Sequence, residues 1–275
     1  MRLKTLSVLA SAAIVTCVVV IAIFASVIAP EDPNRIRVKD RLGAPGDGSL
    51  IGRDYLGRDL WSRMVYGSRI SLLVGASAAA LSALGGTFIG LVGGYSRGRV
   101  GALLMRVVDT VMSFPATLLA LSLMAVLGQR VSNIVIALSV TYVPRIARVV
   151  HASTLQIREL DYVASARAIG VGVPRLLLRH VLPNAVGPLF VQTSFIFAYA
   201  VIAESGLSFI GVGVPAGTPS WGSILADGRS YLLSAPWIMM SAGAAIFVLV
   251  LSLNIIGDAL RDKLDPRLSR LSRNR

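Results

Sequence analysis

Charged side chains are scarce in this sequence. Only 15% of its 275 residues are Asp, Glu, Lys or Arg, and 55% are hydrophobic. A soluble domain carries roughly a quarter of its residues as charged side chains. The polar residues present are too few to cover a water-facing surface. This shortage excludes an ordinary soluble globular protein and favours a lipid bilayer as the solvent for the surplus apolar surface.

Cysteine and lysine are also sparse. Cys17 is the only cysteine, which excludes an intramolecular disulfide and a cysteine zinc site. The three lysines are Lys4, Lys39 and Lys263, and none follows a glycine. A phosphate-binding loop needs Gly-Lys-Ser/Thr, so this chain has no such loop. His151 and His180 have no cluster of further ligands near them in the sequence. We therefore expect neither a metal site nor a cofactor bound by this chain.

The excess of charge is positive, with a formal net charge of +13. Such a balance can indicate nucleic-acid binding. In a membrane protein, however, basic residues collect on cytoplasmic loops and face anionic lipid. We therefore expect membrane lipid rather than nucleic acid as a partner. Arg175 and Arg179 share one predicted helix face and are expected to contact phospholipid.

Six apolar stretches are long enough to cross a bilayer, which takes about 20 residues of helix. They cover approximately residues 6–28, 70–94, 103–127, 131–150, 185–203 and 235–256. The first has 23 uncharged residues, longer than the 7–15 of a signal peptide, so a retained helix is expected. Pro115 predicts a kink in the third stretch. Gly86, Gly90 and Gly94 predict close helix packing in the second. The predicted fold class is all-α and polytopic.

The region 29–69 is polar and rich in proline and glycine, and is interpreted as a loop with short helices. We expect an N-terminal unit over 1–69 and a transmembrane core over 70–275. If the N-terminus is inside, the inner segments hold seventeen basic residues and the outer ones ten. This sum predicts that both termini are cytoplasmic. The 29–69 loop, with eight basic residues, runs against it.

The segment 151–184 lies between the fourth and fifth stretches and is too polar to cross. Its first half predicts a helix that ends at Gly170, a residue type suited to a left-handed C-terminal position. Pro174 suits the first turn of a second helix, and Pro183 is expected to stop it. Small residues crowd the stretch 164–170 and would let another surface approach the backbone. Docking of a partner and packing on the membrane surface are both compatible with this pattern.

This segment resembles the cytoplasmic EAA loop of ABC importer permeases. That pattern has Glu-Ala-Ala, three residues, Gly, nine residues and Ile-x-Leu-Pro. The matching positions are Ala164, Ser165, Ala166, Gly170, His180, Leu182 and Pro183. The spacing is intact. Ala164 replaces Glu, Ser165 replaces Ala and His180 replaces Ile, so an ion pair at the docking surface is absent.

Three further stretches extend the resemblance over nearly the whole chain. Residues 52–74 contain Gly-x-Asp-x-x-Gly-Arg-Asp, and residues 205–222 and 254–267 resemble a loop and a C-terminal signature of the same family. Together and in order, they identify the chain as a member of the second-permease branch of dipeptide and oligopeptide importers.

The resemblance implies a type I ABC importer permease fold with a cytoplasmic coupling helix. It also implies a second, different permease subunit, an extracytoplasmic solute-binding protein and two cytoplasmic ATPases that bind ATP and Mg. This chain itself would not be an enzyme. The residues implied to dock an ATPase are Asp161, Ala164, Ser165, Ala166, Arg167, Gly170, Leu182 and Pro183.

Two acids within apolar stretches, Asp109 and Glu204, are candidates for the translocation path, because a carboxylate at membrane depth is costly. A self-sufficient secondary transporter is the alternative function, but the halves 1–137 and 138–275 show no convincing repeat. An intramembrane enzyme would need paired acids or metal ligands, for which these two acids are thin support. The sequence does not name the cargo; dipeptides, oligopeptides, glutathione-like molecules and nickel chelates all remain open.

Overall fold

The protein is described by a computed structural model that covers residues 2–46, 48–96 and 98–264. The described residues are predominantly α-helical. Their α-helices are α1 (Arg2–Ile23), α2 (Ala25–Ile28), α3 (Leu60–Tyr95), α4 (Arg99–Met112), α5 (Ala116–Leu127), α6 (Val131–Ile157), α7 (Asp161–Ala168), α8 (Val173–Leu176), α9 (Leu182–Phe209), α10 (Trp221–Gly228) and α11 (Pro236–Leu264). A π-helical turn, Leu177–Val181, joins α8 to α9, and 3₁₀ turns cover Val38–Asp40 and Arg229–Tyr231.

Five helices of the described residues are long and apolar enough to cross a membrane. They correspond to α1, α3, α6, α9 with its preceding turn, and α11. The pair α4 and α5 makes a sixth only if a bent pair counts as one span. The prediction of about six spans and an all-α class is confirmed.

The third predicted span is not one kinked helix. α4 and α5 meet at an angle of 90°. Pro115, at the start of α5, has an extended backbone with φ −57° and ψ 127°. Proline disfavours helical geometry in the residue before it and lacks the N–H that would continue the helix. The expected kink is therefore a full break between two short helices.

The second predicted span begins ten residues too late. α3 starts at Leu60, and the side chain of Asp59 caps it by accepting a hydrogen bond from the Ser62 N–H. The polar residues in the first ten positions of α3 are buried against partners from other parts of the chain. A helix can therefore form there although this part of the sequence is polar. α6 and α9 likewise extend beyond their predicted apolar limits, to Ile157 and Phe209.

The glycine series of α3 packs against α6. A Cβ at Gly86 would lie 2.4 Å from the Ile146 Cβ, and a Cβ at Gly90 would lie 2.7 Å from the Ala147 carbonyl oxygen. Gly94 is equally close to α6, because a Cβ there would lie 2.7 Å from the Thr154 Cβ. The prediction of close packing is confirmed, and α6 is the partner helix.

The helices have two differently built ends. At one end Arg158 donates to the Gly94 carbonyl oxygen over 2.7 Å, which ties the end of α6 to the end of α3. At the other end residues 29–59 pack with α10 and the beginning of α3. We call the first end, next to residues 158–181, the knob end, and the second the loop end. The division of the chain at residue 69 stays a prediction, and residues 265–267 of the predicted C-terminal signature lie outside the described residues.

Candidate functional site: an exposed knob and an ordered loop end

The knob comprises residues 158–181, between α6 and α9. Its first helix, α7, ends in a Schellman motif: the Val171 N–H donates to the Ala166 carbonyl and the Gly170 N–H donates to the Arg167 carbonyl. Gly170 has φ +83°, the left-handed conformation predicted for it. Pro174 lies in the first turn of α8, also as predicted.

The knob is anchored on one side and open on the other. Val163, Leu176 and Val181 are fully buried and belong to the main hydrophobic core. Ala164, Ser165, Arg167 and Gly170, by contrast, are exposed. The knob is therefore fixed to the core by one face and presents the other face outward.

The other predicted docking residues differ in accessibility. Asp161 and Pro183 are exposed, Leu182 is half-buried, and Ala166 is buried against the core. Ile169, which was not singled out from the sequence, is 82% exposed and lies directly before the turn glycine Gly170. A large apolar residue at that position is the signal that could have drawn attention to it.

The sequence had suggested that Pro183 stops the second helix of the knob, but Pro183 does not stop it. It lies in the first turn of α9, and the chain stays helical from Val173 through the π turn to Phe209. The Leu182 N–H donates to the Leu177 carbonyl oxygen, which is the wider hydrogen-bond spacing of a π turn. This local widening accommodates a proline that would otherwise break the ladder.

Aromatic contacts join the two halves of the knob to each other and connect the knob to α3. The ring of Tyr162 lies 6.5 Å from the ring of His180, across the two halves of the knob. The Arg167 guanidinium lies over the ring of Tyr95 at 5.5 Å, at the end of α3. The knob therefore contacts α3 and also continues into α9.

Glu204 is buried within the chain, with no exposed surface. Its Oε1 accepts hydrogen bonds from the hydroxyls of Ser220 (2.8 Å) and Ser208 (2.9 Å). Its Oε2 accepts one from Ser71 at 3.2 Å. These serines belong to α3, α9 and the beginning of α10, so Glu204 joins three elements near the loop end.

The same hydroxyls also accept hydrogen bonds from the backbone. Ser71 accepts from the Trp221 N–H at 3.2 Å, Ser208 from Val214 at 3.3 Å, and Ser220 from Ser223 at 3.0 Å. Each serine hydroxyl thus accepts a hydrogen bond from a backbone N–H and donates one to Glu204. Glycines make the approach possible, because a Cβ at Gly213 would lie 2.0 Å from the Ser208 Oγ. Ser208 and Ser220, two members of this cluster around Glu204, belong to the stretch 205–222 that carried part of the resemblance.

Asp109 has a different environment. Its carboxylate forms an ion pair with Arg148 at 2.6 Å, and both side chains are more than half exposed. Pairs so exposed contribute little to stability, about 0–1 kcal/mol. The pair links α4 to α6, and it does not meet Glu204. A role in the translocation path stays a prediction for both acids.

Two aspartates and two arginines form a compact cluster at the loop end. Asp54 accepts from Arg58 Nε at 2.6 Å and from Arg63. Asp227 of α10 lies 3.0 Å from a nitrogen of each of these arginines. The cluster fastens the loop to α3 and α10. It also explains the Gly-x-Asp-x-x-Gly-Arg-Asp stretch as a structural device: Gly57, for example, has φ +74° and lies against the Arg37 backbone.

Burial raises the pKa of Asp227 above its ordinary value, although the charges of Arg63 and Arg58 act in the opposite direction. The loss of water around its carboxylate therefore disfavours the charged form more than the two arginines favour it. Asp54 is the more deeply buried acid, with 1% of its side chain exposed, and also accepts from the backbone N–H groups of Leu56 and Arg58.

In the described ranges no three His, Cys, Asp or Glu side chains are grouped so that they could hold a metal ion. An apolar bundle of five or six potential spans, with an anchored knob at one end and an ordered loop at the other, defines a multi-span membrane protein. The chain belongs to the family of binding-protein-dependent transport system inner membrane components, which matches residues 86–270.

Similar proteins share most of their length with this chain. A protein named as a peptide transport system permease in Brucella suis is 48% identical over 252 residues, covering 90% of this chain and 85% of that protein. The di/tripeptide transport system permease DppC of Pseudomonas aeruginosa is 40% identical, covering 91% and 85%. The glutathione transport system permease GsiD of Pectobacterium atrosepticum is 36% identical, covering 92% and 85%.

Solved structures with the same fold are more distant in sequence. An inward-facing structure of the MetNI methionine ABC transporter matches with a TM-score of 0.61 and 18% identity, covering 75% of this chain and 98% of that one. An amino acid ABC transporter matches with a TM-score of 0.54 and 16% identity, covering 74% and 93%. The ABC importer permease fold is thereby established for this chain.

Proposed function

We propose that this chain forms half of the translocation path of an ATP-driven importer of peptides or related small solutes. A second, different permease subunit supplies the other half. Two cytoplasmic ATPases bind ATP and Mg and hydrolyse the nucleotide, and an extracytoplasmic solute-binding protein delivers the cargo. This chain binds no cofactor of its own and catalyses no reaction.

The observation that carries the proposal is the knob, which combines a buried anchor with a bare surface of small side chains. Val163 and Leu176 fix it to the core. Ala164 and Ser165 leave room for a partner surface, and Ile169 offers it an apolar contact. Such a contact excludes water and resists sliding, as force transfer requires.

The mechanism follows from rigid coupling. Closing of the ATPase pair on ATP would move the knob, and α9 and α3 would move with it because the knob is fastened to both. A ligand or motor can shift an equilibrium only by interacting differently with its two states. The knob supplies that difference by linking ATPase closure to the inward- and outward-open arrangements of the helices. The knob end is assigned to the cytoplasm, in line with the expected cytoplasmic location of both termini, and the loop end to the opposite side.

Peptides are proposed as the cargo because the relatives with 40% identity or more described above are named as peptide permeases. The relative named for glutathione keeps small peptide-like solutes within the class. A self-sufficient secondary transporter, the alternative drawn from sequence, is not favoured, because the family is one of binding-protein-dependent systems.

Replacement of Gly170 by tryptophan tests the docking assignment. No atom lies within 4 Å of a Cβ at this position, so the larger side chain would project from the knob into the partner. The positive φ adds strain of roughly 1–2 kcal/mol. We expect Gly170→Trp to insert into the membrane normally, to lose copurification of the ATPases and to lose uptake.

Gly128→Trp is the matched control. Gly128 has φ +81° and equally open surroundings, but it lies between α5 and α6, away from the knob. The control should retain its ATPases. Retention of the ATPases and of ATP-dependent uptake by Gly170→Trp would refute the docking assignment, and uptake without any ATPase would refute the function as a whole.

A further inference from the structure

A cavity of about 420 Å³ opens between α5, α6 and α9. Its volume falls in the range of about 300–1,000 Å³ typical of small-molecule sites. Most of its lining is apolar or aromatic. Polar groups come from Thr117 of α5, from Tyr142 and Arg145 of α6, and from Tyr199 of α9. It lies beside the break between α4 and α5, where Ala116 forms part of its wall.

Arg145 lies near the middle of α6, a 27-residue helix that is apolar enough to cross the membrane. A charge at such a depth is expensive and is normally paired. In the part of the chain that the structure describes, no carboxylate and no hydrogen-bond acceptor reaches the Arg145 guanidinium. This distinguishes it from Arg148, one turn further along, which is paired with Asp109.

Two tyrosine rings hold the guanidinium in place. Its central carbon lies 5.5 Å from the Tyr142 ring centre and 5.2 Å from that of Tyr199. Because no acceptor in the described residues reaches the guanidinium, its N–H donors stay available to a ligand. The Tyr142 hydroxyl is engaged with the Tyr199 carbonyl at 3.4 Å. Within the described ranges the hydroxyls of Tyr199 and Thr117 have no partner, so they add further donors to the cavity.

We propose that this cavity is a binding site for an anionic group of the cargo, with Arg145 receiving the C-terminal carboxylate of a peptide during its passage. The proposal rests on the proposed function.

The chemistry of the lining matches such a ligand. A guanidinium with free N–H donors matches the planar geometry of a carboxylate, and aromatic and aliphatic walls suit the side chains of a short peptide. A phospholipid phosphate has the same chemistry as a ligand, and the experiments below separate the two sources.

Uptake by the reconstituted complex tests the role of the charge. The full complex, with its permease pair, ATPases and binding protein, is placed in proteoliposomes with alanyl-alanine as the probe. We expect Arg145→Gln to lower ATP-dependent uptake about tenfold or more, since one charge-assisted contact is worth about that factor. Arg145→Lys should recover part of the loss. Subunit assembly and basal ATP hydrolysis should not change.

Arg130→Gln is the control, because Arg130 is exposed at the beginning of the same helix, outside the cavity. It should leave uptake near the wild-type level. If Arg145→Gln instead disperses the complex, Arg145 serves an interface and the proposal is wrong. Failure of the wild type to take up alanyl-alanine at all would overturn a dipeptide as the cargo, which is a different result from normal uptake by Arg145→Gln.

The C-terminal amide of alanyl-alanine separates the carboxylate from the rest of the cargo. For each permease variant we take the ratio of free-acid uptake to amide uptake. The binding protein's own preference for the free acid enters this ratio, but the same binding protein is used in every assay. Its preference therefore cancels when the ratio for Arg145→Gln is divided by the ratio for the wild type. We expect the preference for the free acid to fall by about tenfold in the variant. An unchanged ratio, as a lipid phosphate at Arg145 would give, refutes carboxylate recognition.

Thiol protection provides a readout that does not need the amide to be transported. Cys17 is the only native cysteine, so Cys17→Ser with Thr117→Cys places a single thiol of this chain in the cavity. Alanyl-alanine delivered by the binding protein should slow labelling of that thiol, and the additional change Arg145→Gln should abolish the protection. Equal labelling with and without cargo would overturn the proposal.

Discussion

At the scale of single residues, Glu204 shows how much a side chain's role depends on its partners. Its acidity within an apolar stretch marked it as a candidate for the translocation path. The structure surrounds it with serine hydroxyls from α3, α9 and the beginning of α10, and leaves it no exposed surface. These serines are unremarkable in the sequence because they are far apart along it. Their arrangement indicates that Glu204 positions the loop-end segment on the helices.

We predict that Glu204→Gln destabilises the protein by about 1–3 kcal/mol, because the amide group would present donors to hydroxyls that already accept backbone hydrogen bonds. Thermal unfolding of the purified complex measures the change. Ser205→Ala is the control, since the Ser205 hydroxyl bonds mainly to the Val201 carbonyl at 2.9 Å and lies 3.4 Å from Glu204. It should cost less. Lost uptake with unchanged stability in Glu204→Gln would favour the path role instead.

At the scale of secondary-structure elements, the pair α3 and α6 is the rigid part of the molecule and the pair α4 and α5 is the broken part. The glycines of α3 let α6 approach to backbone contact. Pro115, by contrast, separates α4 from α5 completely and leaves α5 free to border the cavity at Arg145. Glycine thus determines which helices pack closely, and proline determines where the chain breaks beside a cavity.

We predict that Gly90→Ala lowers the stability of the protein by about 1–3 kcal/mol, the usual effect of overpacking. The added methyl would meet the Ala147 carbonyl oxygen and the Val150 Cβ, both at 2.7 Å, and a backbone atom cannot move aside cheaply. Gly243→Ala in α11 is the control, because its nearest neighbour is 4.0 Å away. It should be neutral or stabilising by up to about 1 kcal/mol. Equal melting temperatures for the two variants would contradict this account of the α3–α6 contact.

At the scale of the whole molecule, the two ends perform separate tasks. The knob end presents small and apolar side chains on an anchored helix. The loop end is held by buried ion pairs that fasten residues 29–59 to α3 and α10. Because the helices between them carry the core, damage at one end should leave the other end intact.

We predict that Asp54→Asn destabilises the loop end by about 3–5 kcal/mol, since removing one partner leaves Arg58 and Arg63 buried with an unbalanced charge. Limited proteolysis should then cut within residues 29–59, while the ATPases still copurify. Asp32→Asn is the control; Asp32 is exposed, and the hydrogen bond that its side chain accepts from the Asn34 N–H can be kept by an amide oxygen. Loss of the ATPases in Asp54→Asn would show that the two ends are not independent.

The class of protein could be predicted from the order of residues alone, because hydrophobicity, the shortage of charge and the proline and glycine signals act locally. Apolar runs predicted the spans, and Gly170 and Pro174 predicted the turn of the knob. The limits of α3, the complete break at Pro115 and the continuation of the helix through Pro183 were not predicted. They depend on neighbours, such as the arginine partners of Asp54 and the π turn before Leu182.

Which residues meet depends on the folded chain. Folding brings serines of α3, α9 and the beginning of α10 to Glu204, pairs Asp109 with Arg148, and leaves Arg145 facing a cavity between two tyrosine rings. The physical reason is that hydrogen bonds and ion pairs act over a few ångströms, whereas Ser71 and Glu204 are 133 residues apart in the chain and Asp109 and Arg148 are 39 apart. A sequence read in order shows which groups need partners, and the folded helices determine which partners they receive.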